Sequence, residues 1–192
     1  PGVTRVVLTL AQAVGFATSY KSCLNWLRGS DWQVLDAETF LHGLEFPESL
    51  PPRAALLTFD DGYRSMRHIV LPMLRAFHFP AVLFVPTGFV GSINRFDADV
   101  EPVEPICNWD DLRELQRAGV SIQSHGVTHR RLSTLDPAEL RREARDSKAL
   151  IQDHLGHAVG IFSFPYGDNG RDPGVTAEVL REIRKECGLE LT

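Results

Sequence analysis

Short apolar runs recur along the chain, each closed by a cluster of turn-forming residues. Ala54-Ala55-Leu56-Leu57-Thr58-Phe59 ends in Asp60-Asp61-Gly62, and Ala81-Val82-Leu83-Phe84-Val85 ends in Pro86-Thr87-Gly88. Val120-Ser121-Ile122-Gln123-Ser124, a weaker run, stops at His125, and Gly160-Ile161-Phe162-Ser163-Phe164 stops at Pro165-Tyr166-Gly167. Runs of this length and composition predict strands buried on both faces, as strands of parallel sheets are. Helical signals fill the gaps. Asn108 caps a helix from Trp109 to about Ala118 that Gly119 stops. Asp136, Pro137 and Glu139 together mark a helix start, because proline suits the first turn and glutamate the third position; this helix is expected to run to Leu155 and close at Gly156. Further helices are predicted from about Tyr63 to Phe77, with Pro72 breaking or kinking it, and from about Val175 to Glu186.

The N-terminal part reads as a strand over Val6–Leu10, a helix from Phe16 to about Leu27, a short strand at Trp32–Leu35 and a short helix at Ala37–Leu44. Pro47 to Arg53 is a proline-rich connection, and Gly91 to Cys107, acidic and without periodicity, predicts a surface loop near a site. Strands alternating with helices predict an α/β fold with parallel strands. Periodicity leaves a doubly wound sheet and a barrel both open.

Composition narrows the class. A length of 192 residues fits one domain, 1–192, and the 43% hydrophobic and 23% charged residues are ordinary globular values. No apolar run approaches the ~18 residues of a transmembrane helix. The formal charge of −5 argues against a general polyanion binder, so no nucleic-acid partner is expected and a neutral or cationic substrate fits better. Cys23, Cys107 and Cys187 are odd in number and far apart, which argues against a disulfide framework or a cysteine zinc site. The chain starts at Pro1 without a recognisable signal peptide, as a trimmed mature chain also would, and the compartment stays open.

The unusual polar residues stand where strands end, the face on which parallel α/β folds bind ligands. Asp61, His125 and His129 form a candidate set of metal ligands. Histidines at i and i+4 can share one side of a helical turn, and two of them with one carboxylate leave coordination positions open for water and substrate. Zinc is the default ion, though nitrogen and oxygen donors also suit other divalent metals. Taken alone, HxxxH also describes two exposed histidines, and Asp60-Asp61-Gly62 also describes a turn or a helix cap. Asp60, left free beside a bound carboxylate, is placed to remove a proton from water. Phe164-Pro165-Tyr166-Gly167 can offer a backbone N–H to a developing oxyanion, or be only a turn.

Together, Thr58-Phe59-Asp60-Asp61-Gly62, Ser124-His125-Gly126-Val127-Thr128-His129 and Phe164-Pro165-Tyr166-Gly167 resemble, in order and spacing, the first three motifs of the polysaccharide deacetylase (NodB homology) family. The segments Ala81–Gly88, Trp109–Gly119 and Arg130-Arg131-Leu132 are also similar, and the likeness covers roughly Phe16 to the end. The resemblance implies a distorted (β/α) barrel of about seven parallel strands, here incomplete at the C-terminus because the chain stops at Thr192. It implies metal-dependent removal of N-acetyl groups from N-acetylglucosamine polymers, with Zn2+ or another divalent ion such as Co2+ or Ni2+ as cofactor. Carried over residue by residue, Asp60 is the catalytic base, Asp61, His125 and His129 hold the metal, Tyr166 supplies a backbone N–H, and Pro165 and Tyr166 face the substrate. The implied partner is an acetylated glycan, and the implied setting periplasmic, extracellular or at the cell envelope.

The chain departs from the family pattern at three places. Ser163 stands where many members carry an arginine that orients the base. The fourth motif, with its tryptophan, is not evident, and nothing after Gly167 matches the fifth motif, whose histidine is the general acid. Two other functions therefore stay in view: a carbon–nitrogen hydrolase acting on a small amide, and a carbohydrate-binding domain of the same fold that has lost turnover.

Overall fold

The computed structural model describes residues 4–9, 17–168 and 190–191. The predicted helix at 175–186 and Cys187 lie outside them. Five strands of three to seven residues, β1 (Thr4–Thr9), β2 (Gln33–Leu35), β3 (Arg53–Phe59), β4 (Ala81–Val85) and β5 (Val120–Ser124), build a parallel sheet. Two further segments of two residues each, β6 (Ile161–Phe162) and β7 (Glu190–Leu191), extend it. The order is β1-β3-β4-β5-β6-β7, with β2 also beside β3. No pairing joins β1 to β7 among the described residues.

The sheet forms because its strands are apolar on both sides. Along β3, Ala55, Leu57 and Phe59 enter one core cluster and Leu56 another, the period-2 alternation of a strand. The larger cluster takes Leu24 and Leu27 from α1 (Ala17–Arg28), Leu71 and Leu74 from α3 (Leu71–Phe77), Leu112 and Leu115 from α4 (Trp109–Arg117), and Ile151 from α5 (Pro137–Leu155). On the opposite face Leu56, Val82, Phe84 and Ile161 pack with Ala37 of α2 (Ala37–Glu45).

Helices α4 and α5 begin as predicted, at Asn108 and Asp136, each with a complete capping box. Two predictions are corrected. The helix expected from Tyr63 starts later: Tyr63 pairs with Ile106 in an isolated bridge, and a π-helical turn over Met66–Val70 leads into α3. The wide turn lets Pro72, which has no N–H to donate, sit in the first turn of α3. The strand expected over Gly160–Phe164 shortens to Ile161–Phe162, because the chain turns at Pro165.

The segment Gly91–Cys107 is more than a surface loop. Ile106 and Cys107 are buried, and the buried Asn94 side chain donates to the Pro102 carbonyl (2.9 Å) and accepts from the Glu104 N–H (2.8 Å). The bridges Tyr63–Ile106 and Ile93–Pro105 strap this segment across the carboxyl ends of the strands.

Candidate active site

The β3 strand delivers Asp60 and Asp61 at its carboxyl end. Asp61 (φ 68°) and Gly62 (φ 69°) are both left-handed, a sharp reversal that aspartate tolerates and glycine favours. A Cβ at Gly62 would stand 3.3 Å from the Val85 side chain, a tight contact that adds to the preference for glycine at this positive φ. His125 follows β5 directly and its N–H donates to the Val85 carbonyl (3.1 Å), continuing the β4–β5 ladder by one residue.

The two histidines converge through an irregular loop and not through the helical turn expected from their spacing. Gly126 (φ 80°) and His129 (φ 54°) both leave helical geometry. The loop is held from below by Glu143 of α5, whose buried carboxylate accepts from the Val127 N–H (2.6 Å), the Thr128 N–H (2.9 Å) and the Thr128 hydroxyl (2.5 Å). A side chain at Gly126 would meet that carboxylate at 2.8 Å.

Asp61 Oδ1 lies 2.9 Å from His129 Nε2 and 3.5 Å from His125 Nε2, and one donor atom of each residue falls within 4.8 Å of the others. The carboxylate oxygen is buried, yet it makes no hydrogen bond of proper geometry at this distance. The ring nitrogens thus face it with poor N–H alignment, as lone pairs aimed at a shared point would. His125 Nδ1 stands 2.9 Å from the Ser163 carbonyl, which places the proton on Nδ1 and leaves Nε2 a lone pair pointing inward. His129 is clamped between Phe96 (ring centroids 4.1 Å apart) and Tyr166 (4.7 Å). The donor set and its second layer of contacts therefore fit a divalent cation.

Charge and burial divide the two carboxylates. Burial pushes Asp61 up, but both histidine rings outweigh it and hold its pKa below the usual carboxylate range. Asp60 goes the other way: burial dominates and raises its pKa, the His125 ring opposing and the Asp61 charge adding. Its Oδ1 is buried without a hydrogen-bond partner among the described residues. For His125, burial opposes the charged ring, but the nearby Asp61 and Asp60 carboxylates overcome it and raise the pKa.

Asp60, Asp61, His125, His129 and Tyr166 line one cavity of about 280 Å3. Tyr166 is left-handed (φ 61°) and half-exposed; its hydroxyl donates to the Phe96 carbonyl (3.1 Å) and reaches Asp97 Oδ1 at 3.4 Å. Pro165 is buried behind the turn, and the wall itself is Phe164, Tyr166 and Gly167.

Sequence reading missed three parts of this site. Glu143 was detectable, because it falls on the α5 face of Leu140, Ala144, Ser147 and Ile151, an odd place for an unpaired acid. Asp97 also lines the cavity, its pKa raised by burial and then by the Asp61 charge. No local signal marks it, and none marks the Ser163 carbonyl as the His125 partner.

The parallel α/β sheet thus brings an Asp-His-His cluster that could hold a metal ion beside a second buried carboxylate. A family model for polysaccharide deacetylase matches residues 48–191, and the chain belongs to that family. It is 26% identical over 191 residues to the poly-β-1,6-N-acetyl-D-glucosamine N-deacetylase of Escherichia coli K12, covering 82% of this chain and 28% of that protein. The Staphylococcus aureus MRSA252 protein of the same name is 21% identical over 159 residues, covering 78% of this chain and 52% of its own length. The chain thus spans about half or less of the length of such relatives. Among solved structures, IcaB from Ammonifex degensii superposes with a TM-score of 0.74 at 24% identity, over 94% of this chain and 80% of that one. The BpsB deacetylase domain from Bordetella bronchiseptica gives 0.73 at 27% identity, over 93% and 86%.

Proposed function

We propose that the chain is a metal-dependent deacetylase that hydrolyses the N-acetyl group of N-acetylglucosamine-containing polysaccharides. The observation that carries this reading is the convergence of Asp60, Asp61, His125 and His129 on one cavity at the ends of β3 and β5. Family membership and the relatives named as poly-β-1,6-N-acetyl-D-glucosamine N-deacetylases support the choice of substrate class. Closure of the sheet into a (β/α) barrel, and a periplasmic, extracellular or cell-envelope setting, belong to the same proposal.

Asp61, His125 and His129 would hold the ion, for which Zn2+ is the first candidate and Co2+ or Ni2+ are alternatives. When bound, a divalent ion polarises the acetyl carbonyl and makes water more acidic. The residues of the chain do the rest. Asp60, buried beside Asp61 and not one of the three ligands, accepts a proton from the attacking water. The Tyr166 N–H, which has no acceptor among the described residues, donates to the carbonyl oxygen as negative charge develops there. The Ser163 carbonyl fixes the tautomer of His125.

The test is acetate release from poly-β-1,6-N-acetylglucosamine and chitin oligomers in the presence of Zn2+, Co2+ or Ni2+, run beside ammonia and formate release from small amides. Acetate release that a chelator abolishes supports the proposal. Turnover confined to small amides points to a different carbon–nitrogen hydrolase. Saccharide binding without acetate under every metal points to a domain that has lost turnover.

A further inference from the structure

The carboxylate-lined cavity is not the only opening at His129. Beyond the His129 and Tyr166 rings, which both spaces share, lies an open cleft of about 430 Å3. Its aromatic wall is Phe89 and Phe96, edge to face at 4.8 Å, together with Tyr166. Its polar rim is Arg95 from the strap and Arg130 and Arg131 from the histidine loop, and no aspartate or glutamate lines it. This reverses both the net charge of −5 and the sign of the adjoining cavity, where Asp60, Asp61 and Asp97 face inward.

The three guanidinium groups keep most of their charge available. Arg130 shares one nitrogen with Glu139 at 3.1 Å, on an exposed pair. Arg131 lies 4.8 Å above the Tyr166 ring, a cation–π contact that leaves its charge unneutralised. Arg95 has no ion-pair partner among the described residues. Asp168, directly after the Pro165–Gly167 turn, accepts from the Ser133 N–H and hydroxyl. A cleft with aromatic faces and a cationic rim suits a sugar ring that stacks through its apolar face and carries a negative group.

We infer that this cleft binds an anionic group of the glycan, a carboxylate or a phosphate on the sugar next to the acetylated unit. The inference rests on the glycan deacetylase reading, because the shared His129 and Tyr166 wall makes the two spaces neighbouring subsites. Arginine forks take a carboxylate or phosphate through paired N–H bonds, so the cleft selects for charge on the neighbouring unit.

The test compares equilibrium binding and acetate release for three oligosaccharides of equal length. One is neutral N-acetylglucosamine, one alternates with a uronic acid, and one carries phosphate substituents. The proteins are the unaltered chain, Arg95→Gln, Arg130→Gln, the double variant, and Arg53→Gln, whose guanidinium pairs with Asp31 elsewhere on the surface. The unaltered chain is expected to bind a charged oligomer more tightly than the neutral one. Each rim arginine removed lowers that preference by about two- to fivefold, as exposed ion pairs do. The preference shrinks with added salt, and Arg53→Gln leaves it unchanged. Whichever charged oligomer shows the larger preference identifies the group. Equal binding of neutral and charged oligomers, or a preference that survives in the double variant, overturns the inference. Acetate release without charge preference overturns the cleft and leaves the deacetylase reading intact. A charge preference in binding with no acetate from any oligomer does the reverse.

Discussion

The helix starts and the loops that carry the site are built on opposite principles. At Asp36, Asn108 and Asp136 every local rule is met: a short polar side chain caps the first turn, and two of the three helices complete a capping box. At the carboxyl ends of the strands the local rules are broken. Of the four non-glycine residues with positive φ among the described residues, Asp61, His129 and Tyr166 line the site, and only His78 merely ends a helix. Each such residue costs about 1–3 kcal/mol and persists only where its surroundings over-determine it. Asp60 adds a buried oxygen without a hydrogen-bond partner among the described residues. The helices are thus stabilised by their own sequence, whereas the site is held by distant groups: Glu143 under the histidine loop, the Ser163 carbonyl on His125, and Phe96 against His129.

Variants can break this contrast at several points. The largest effect is expected for Asp60→Asn, which should lower acetate release by about 10²–10⁴-fold, the range of a general base. The same variant should be as stable as the unaltered chain or more so. Asp60 has a raised pKa in the folded state, so folding favours its proton. The stability this proton provides is present below the unfolded pKa of about 3.9 and is lost as pH rises through the folded value. Asparagine removes that loss. Thermal unfolding at pH 7 in chelator checks this, and a clearly lower Tm would mean that Asp60 stabilises the fold.

Next in size is Glu143→Ala. It strands two backbone N–H groups under the histidine loop, at about 1–3 kcal/mol each. Urea unfolding should show a loss of roughly 2–6 kcal/mol. Metal uptake should weaken as well, although Glu143 is not itself a ligand; undiminished uptake would show that the loop keeps its shape without it. Asp136→Ala should cost only about 1 kcal/mol, the usual value of a cap, and leave turnover unchanged. Smallest is the response of Cys107. Its thiol is buried and pushed up to about 12, so alkylation of the folded chain at pH 8 should leave it unmodified. Rapid labelling would mean that the strap opens readily.

This contrast also explains what could be read from the sequence. Strands β3, β4 and β5 and helices α4 and α5 follow from local pattern, because burial on both faces and capping chemistry leave direct traces in residue type. The motifs at the strand ends were legible as a resemblance, and they fall on one cavity. The path between His125 and His129 was not: an i, i+4 spacing means a shared helical face only if the backbone is helical, and Gly126 and Glu143 make it a loop. Asp97 and the arginine-rimmed cleft were hidden because they depend on where a loop without periodicity is strapped. A whole-chain charge sum is likewise blind to the local sign of a cleft such as the one rimmed by Arg95, Arg130 and Arg131.

The proposed chemistry depends on Asp61, His125 and His129 acting as one ligand set. Zinc titration of the chelator-treated protein, read by calorimetry, tests this most directly. One ion per chain is expected, with uptake lost in His125→Ala and in His129→Ala and retained in Asp60→Asn. Equal zinc uptake by the unaltered chain and both histidine variants would contradict the metal centre.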